Sequence, residues 1–343
     1  MDELRILKKR LFWLFLALFA LVAAVLIELF DYKPSTAPKV VDLPKAPIES
    51  WKPKNVLLAL EDKDPLVKQG YLLIKESPTQ MGPSAENPDM RFTGNHMACA
   101  NCHLQSGTQA GAASWVGVVE RFPQFGGRSN KIGTIQDRIN GCMERSMNGK
   151  KLPIDSEAMK AIVAYMNWLG TDVPENRKKE FSGFVEIEIP EVAVDLVKGK
   201  AVYEKECVLC HRNDGQGVLF ADASKGYQYP PLWGKDSYNN GAGMHRVLTS
   251  AQFIKSNMPY LQATWDKPKL TDEEAFNVAG YINSFDRPVK ANTENDYPDK
   301  KLKPVSTPYG PWADGFSAEQ HKNGPFQPII AYYKQEYNIT KTK

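Results

Sequence analysis

One short pattern, present twice, dominates the chemistry open to this chain. Cys-x-x-Cys-His occurs at Cys99, Cys102 and His103, and again at Cys207, Cys210 and His211. Two thiols at this spacing can add across the two vinyl groups of one porphyrin. The histidine beside the second thiol then meets the iron from one face. A lone CxxC could be a redox disulfide or half of a zinc site. Here both copies carry histidine at the next position, so the expectation is two covalently bound haem c groups with His103 and His211 as axial ligands.

The ligand on the opposite face of each iron decides what each haem does. In the second half, Met258-Pro259 stands between a long loop and a closing helix, which favours Met258; Met244 and His245 compete with it. A thioether is soft and neutral, so it favours the ferrous state and raises the potential. The first half has no Met-Pro at that place. Its candidates between His103 and the closing helix are Cys142, Met143 and Met147, within NGCMERSMNG.

Cys142 reads in one of two ways. It could be a buried free thiol acting as a small hydrophobe. A disulfide is less favoured, because the other four cysteines are committed to porphyrin. The functional alternative is a thiolate on iron, with Fe(III) and nearby arginines lowering its pKa. That would give one low-potential haem suited to chemistry and one higher-potential haem suited to passing electrons on. Arg138 lies one helical turn before Cys142 and Ser146 one turn after, on the same face. Arg128 sits in the Gly-containing stretch FPQFGGRSNK. Arginine and serine at such spacing are commonly surface residues. Brought together, however, guanidinium forks match a tetrahedral oxyanion in charge and shape.

The elements that must position these groups repeat. Helices are expected over Asp64–Glu76, Thr134–Asn148 and Asp155–Leu169 in the first half. In the second they are expected over Val192–Glu206, Met244–Ser256 and Thr271–Phe285, with Thr271 and Glu274 as a capping box. Each half therefore reads helix, CxxCH, long loop, candidate ligand, and an amphipathic helix bearing Tyr165 or Tyr281. The alternating FVEIEI (Phe184–Ile189) predicts a strand linking the halves. Each half resembles a class I c-type cytochrome domain, in which the first helix crosses the last. Gly199 and Tyr203 should then meet the helix that contains Tyr281.

The fold class expected is mainly α: two class I cytochrome c-like haem domains in tandem, at 56–180 and 181–290. A tail at 291–343, rich in Pro, Gly and aromatics, should wrap a domain surface. At the start, Arg5, Lys8, Lys9 and Arg10 precede an apolar run from Leu11 to Ile27. That is long enough to span a bilayer with the N-terminus inside, although a cleaved signal peptide would look similar. Residues 1–30 are thus expected to be a signal-anchor or signal peptide, and 31–55 a linker. Either reading places the rest of the chain in the periplasm. The net charge of +3 over 343 residues gives no global argument for nucleic acid.

The stretch RFPQFGGRSNKIGTIQDRINGCMERSMNGKK (Arg121–Lys151), both CxxCH motifs, Asn257-Met258-Pro259 and PYGPWADGFSAEQHKNGPF (Pro308–Phe326) resemble the dihaem thiosulfate dehydrogenase/tetrathionate reductase family. The likeness spans roughly residues 60–335. The Arg–Cys–Arg–Ser core is also related to the sulfur-oxidation cytochromes whose haem is ligated by cysteine, but the aromatic tail points to the dihaem enzymes. The resemblance implies interconversion of thiosulfate and tetrathionate at a haem held by His103 and Cys142. It implies that Arg128, Arg138 and Ser146 match the family's substrate pocket, and that His211 and Met258 hold the second haem. It also implies a redox partner such as a c-type cytochrome or a membrane quinol-linked donor. Some members of the family place Lys before that methionine as a competing ligand; this chain has Asn257, and Lys255 is out of register. The competing expectations are a pure electron-transfer dihaem cytochrome, which would need Met or His on both irons, and a sulfur-carrier cytochrome that conjugates thiosulfate to a partner through Cys142. A dihaem peroxidase would leave the anion-pocket residues without a role.

Overall fold

The computed structural model describes residues 2–30, 51–61 and 63–342, and the chain divides into two compact units, 1–50 and 51–343. In the first unit, α1 (Asp2–Phe30) is a single helix. Its stretch Arg5–Leu26 has a mean hydropathy of 2.1 and is long and apolar enough to cross a membrane; a signal sequence has the same properties. The expected linker lies outside the described residues as far as residue 50.

In the second unit, the first haem-motif half contains α2 (Val56–Ala59), α3 (Pro65–Lys75) and α4 (Ser77–Met81). A short hairpin of β1 (Gln124–Gly126) and β2 (Lys131–Gly133) follows, then α5 (Ile135–Arg145) and α6 (Glu157–Gly170). Asp64 caps α3, Ser156 caps α6, and Thr134 with Asp137 forms a capping box on α5. The second half has α7 (Leu196–Glu206), α8 (Val208–His211) and the small hairpin β3 (Val218–Leu219) and β4 (Tyr227–Tyr229). It closes with α9 (Val247–Asn257) and α10 (Asp272–Asn283), capped by the expected Thr271–Glu274 box. The tail carries α11 (Ala318–Asn323) and α12 (Gln327–Tyr337).

The two halves are built on the same crossing of a first and a last helix. In the first, α3 passes α6 where Gly70 meets the carbonyl of Ala161 and the Cβ of Tyr165. In the second, α7 passes α10 where Gly199 meets the Asn277 carbonyl and the Tyr281 Cβ, and the Tyr203 and Tyr281 rings lie 5.5 Å apart. A methyl on Gly199 would fall 2.2 Å from the Asn277 oxygen, so only glycine lets the helices approach this closely. Gly199→Ala is therefore expected to lower the melting temperature by roughly 5–10 °C, measured by calorimetry on the haem-loaded protein. An unchanged melting temperature would show that the crossing can widen freely.

The stretch Phe184–Ile189 corrects one expectation, for it forms no strand. Its alternation has another cause. Ile187 and Ile189 drop onto the core of the second half, and the amide of Glu188 is taken by the Asp272 carboxylate. Helix α7 also begins later than Val192, at the Asp195 cap.

Buried polar side chains join the two halves. Asn95 donates to the carbonyls of Ser146 (3.0 Å) and Ser237 (3.3 Å), and Asn239 donates to Glu144 O at 2.8 Å. Asn257, fully buried, donates to Gly111 O (2.9 Å) and accepts from Gln109 (2.8 Å). Lys255 is paired with Asp272, away from the Met258 position.

Candidate active site

Cys99, Cys102, His103 and Cys142 come together around a single cavity of about 230 Å³ in the first half. Trp115, Met143 and Met147 supply apolar wall, while Arg121, Arg138 and Ser146 supply the polar part. The motif segment enters as a tight turn (Cys99–Asn101), and α5 brings Cys142. The His103 ring lies 4.5 Å from that of Trp115, and its Nδ1 donates to Ala113 O at 2.9 Å. A carbonyl can only accept, so the proton sits on Nδ1 and Nε2 keeps its lone pair for a metal. His211 repeats the arrangement, its Nδ1 donating to Pro230 O at 2.8 Å.

The three cysteines around the cavity differ in their electrostatic surroundings. Burial pushes the Cys99 thiol up to about 11 and the Cys102 thiol up to about 12. Burial also pushes Cys142 upward, but the Arg138 charge and the His103 imidazole overcome it and bring this thiol down to about 6. Of the three, Cys142 alone is brought toward the thiolate, the form in which a cysteine ligates a metal, while Cys99 and Cys102 have the spacing of the two thioether links. Met143 and Met147, the competing ligands, are 1% and 3% exposed and belong to the hydrophobic core.

Arg138 acts through a helical turn. Its Nη1 donates to Cys142 Sγ at 2.9 Å, so the i, i+4 spacing on α5 produces a direct contact. Arg138 is exposed and lines the cavity, which puts a guanidinium at the mouth. Ser146 is the C-cap residue of α5 and also lines the cavity. Arg128 is in the turn between β1 and β2 and is not among the lining residues. Its Nη1 is occupied by Gly241 O (2.8 Å), Asp296 (3.1 Å) and Tyr309 (3.5 Å), and its guanidinium stacks on the Tyr297 ring.

Several groups here carried no signal in the local sequence. Asp296, in the tail, pairs with Arg145 at 2.7 Å as well as with Arg128, and accepts from Tyr309 at 2.7 Å. Arg121 reaches the cavity and donates to Ser182 at 2.8 Å. Burial, and then the charge of Arg138, lower its pKa. Arg246, at the start of α9, lies in the field of Arg128 and Arg138. The other histidines have structural partners. His321 is buried between Val305 O and Asp314, His96 pairs with Asp236, and His245 donates to Asn240 O.

In the second half, Met258 is the C-cap residue of α9 and packs against two apolar clusters, one of them shared with Leu104 and Phe253. His211 is 9% exposed, and burial lowers its pKa, so the ring is neutral as a metal ligand must be.

Two helical units in tandem, each with a CxxCH motif and an imidazole oriented for a metal, define a protein with two c-type cytochrome domains carrying two covalently bound haems c. The comparisons agree. The SoxA/TsdA cytochrome c domain family matches residues 91–174, and the cytochrome c family matches residues 196–286. The thiosulfate dehydrogenase of Allochromatium vinosum is 41% identical over 227 residues, covering 65% of this chain and 78% of that protein. The thiosulfate dehydrogenase of Psychrobacter arcticus is 41% identical over 205 residues, covering 60% of this chain and 61% of that one. Among solved structures, thiosulfate dehydrogenase TsdBA of Marichromatium purpuratum, in its as-isolated form, is 33% identical with a TM-score of 0.61. The match covers 71% of this chain and 50% of that one. The chain belongs to the thiosulfate dehydrogenase family. It spans about three-fifths of the length of the Psychrobacter relative and of a further one from Stutzerimonas stutzeri, at 61% and 62%.

Proposed function

We propose that this protein interconverts thiosulfate and tetrathionate in the periplasm at the cavity holding His103 and Cys142. The observation that carries this reading is the Arg138 guanidinium on the Cys142 sulfur, inside the cavity where both thiols of the first haem motif converge. A pure electron carrier needs no cationic groups around a thiolate, and this cavity has Arg121 and Arg138 on its wall.

His103 and Cys142 would hold the first haem, and His211 and Met258 the second. When bound, the haems supply the one-electron acceptors and the path outward to a redox partner, such as a c-type cytochrome or a quinol-linked donor. The chain's own residues do the rest. Arg138 keeps Cys142 in the thiolate form, which is the nucleophilic one. That thiolate joins the sulfane sulfur of one thiosulfate, with loss of two electrons, to give a Cys142 S-thiosulfonate. The sulfane sulfur of a second thiosulfate then attacks the sulfane sulfur of that conjugate, which forms tetrathionate and returns Cys142 as thiolate. The same bonds serve in reverse.

Bringing two dianions together costs about 4 kcal/mol for each pair of unit charges about 4 Å apart at intermediate dielectric. Arg138 and Arg121 at the cavity, backed by Arg128, offset that repulsion, and the Ser146 hydroxyl can donate to a sulfonate oxygen. The helix α1 would hold the protein at the inner membrane or direct its export. Purified haem-loaded protein should be assayed with thiosulfate plus an electron acceptor, and with tetrathionate plus a reduced donor. Turnover in at least one direction is expected. Inactivity in both would leave the electron-carrier reading.

A further inference from the structure

Two guanidinium groups stand on the wall of the cavity around His103 and Cys142, and they are anchored differently. Arg138 is on α5 with its Nη1 on the Cys142 sulfur. Arg121 is tied to the chain that fixes His103. Its Nη1 donates to the Ser182 hydroxyl at 2.8 Å, and its Nη2 makes a long contact of 3.5 Å to Ser114 O. Ser114 follows Ala113, whose carbonyl accepts from His103 Nδ1. Ser182 precedes Gly183, whose carbonyl accepts the Ala113 amide at 3.0 Å. His103, Ser114 and Gly183 all line the cavity together with Arg121. Among the described residues no carboxylate pairs with Arg121, and its Nε donates to nothing. Burial, and then the charge of Arg138, disfavour its charged form. Arginine cannot escape this cost by losing its proton. A half-buried guanidinium without a counter-ion, on the wall that encloses both thiols of a haem motif, is completed by a carboxylate. A haem c brings two carboxylates of its own, the propionates, which its thioether links leave free.

We propose that Arg121 pairs with a propionate carboxylate of the first haem and so shifts that haem toward its ferrous state. The fork of Arg121 matches one carboxylate in charge and shape, while Ser182 keeps Nη1 in place. A cation beside the propionate offsets a negative charge that otherwise favours Fe(III). The inference rests on haem attachment and goes beyond the thiosulfate–tetrathionate reading, on which it does not depend.

The test is a spectropotentiometric titration of the haem-loaded Arg121→Gln and Arg121→Lys variants beside the unaltered protein. In Arg121→Gln one of the two haem waves is expected to move to lower potential while the other stays in place. At the old midpoint of that wave the ferric-to-ferrous ratio should rise at least about tenfold, or about 59 mV for one electron. Arg121→Lys, which keeps the charge without the fork, should move the same wave in the same direction by less. Ratios within about twofold of the unaltered protein in both variants, with haem content intact, would overturn the pairing, as would a move to higher potential. So would a raised KM for thiosulfate with neither wave moved, which would assign Arg121 to a sulfonate of the substrate. If Arg121→Gln loses haem or fails to fold, Arg121→Lys decides by the same twofold criterion. No substrate takes part in the titration, so inactivity toward thiosulfate would bear on the functional reading alone.

Discussion

Replacing Cys142 with glycine is expected to reduce thiosulfate–tetrathionate turnover by at least about a thousandfold while both haems stay attached. Attachment depends on Cys99 and Cys102 in the first half and on Cys207 and Cys210 in the second, none of which is touched. Among the described residues of the cavity wall, the sulfur removed is the cysteine sulfur whose pKa is brought down, to about 6, and it is the partner of Arg138. If Cys142 is both the nucleophile and an iron ligand, as proposed, its loss removes the bond-forming atom and a ferric-stabilising donor together, so the effect should fall on kcat. Absorbance of the denatured, reduced protein reports haem content, and the activity assay reports the loss. Activity close to the original in this variant would end the covalent part of the mechanism.

The second large effect concerns Asp296, a residue of the tail. It is 7% exposed and accepts from Arg145, Arg128 and Tyr309. Asp296→Ala leaves two largely enclosed guanidinium groups without a counter-charge. Breaking a buried pair in this way costs about 3 kcal/mol or more. The melting temperature should fall by roughly 6–12 °C. Arg128 also loses the anchor that fixes it beside the site, so the KM for thiosulfate should rise. Asp296→Asn keeps an acceptor in place and should show a smaller loss. Unchanged melting of Asp296→Ala would mean that Gly241 O and Tyr309 suffice to hold Arg128. The tail is therefore part of the site's support, through Asp296 and Tyr309 on one side and Lys303 on the other. Lys303 donates to Tyr309 O and Pro311 O and so holds the loop that presents the tyrosine.

What was legible in the sequence is what is local along the chain. The CxxCH spacing, the capping boxes at Thr134 and Thr271, and the i, i+4 relation of Arg138 to Cys142 each lie within a few residues. Backbone geometry alone then converts spacing into contact. The helix crossing was expected from the resemblance of each half to a class I c-type cytochrome domain, and in the second half Gly199 and Tyr203 do meet Tyr281. The strand expected at Phe184–Ile189 was misread because a period of two has more than one cause. A segment draped over a core with Ile187 and Ile189 inward alternates as a strand does, and its backbone bonds go to side chains such as Asp272 rather than to a neighbouring strand.

The partners of the site were not legible, because they are distant. Asp296 is 168 residues from Arg128 and 151 from Arg145, and nothing in NTENDYPDK marks its aspartate as a counter-ion. The Arg128 side chain, expected at the substrate pocket from the resemblance alone, is held by Gly241, Asp296 and Tyr309.

If a thiolate from α5 is an axial ligand in the first haem domain, low-temperature electron paramagnetic resonance of the ferric, haem-loaded protein should reveal it. Two haem species are expected, one with a thiolate-ligated low-spin signature that disappears in Cys142→Gly. Two species with only nitrogen or thioether ligation in the unaltered protein would contradict it.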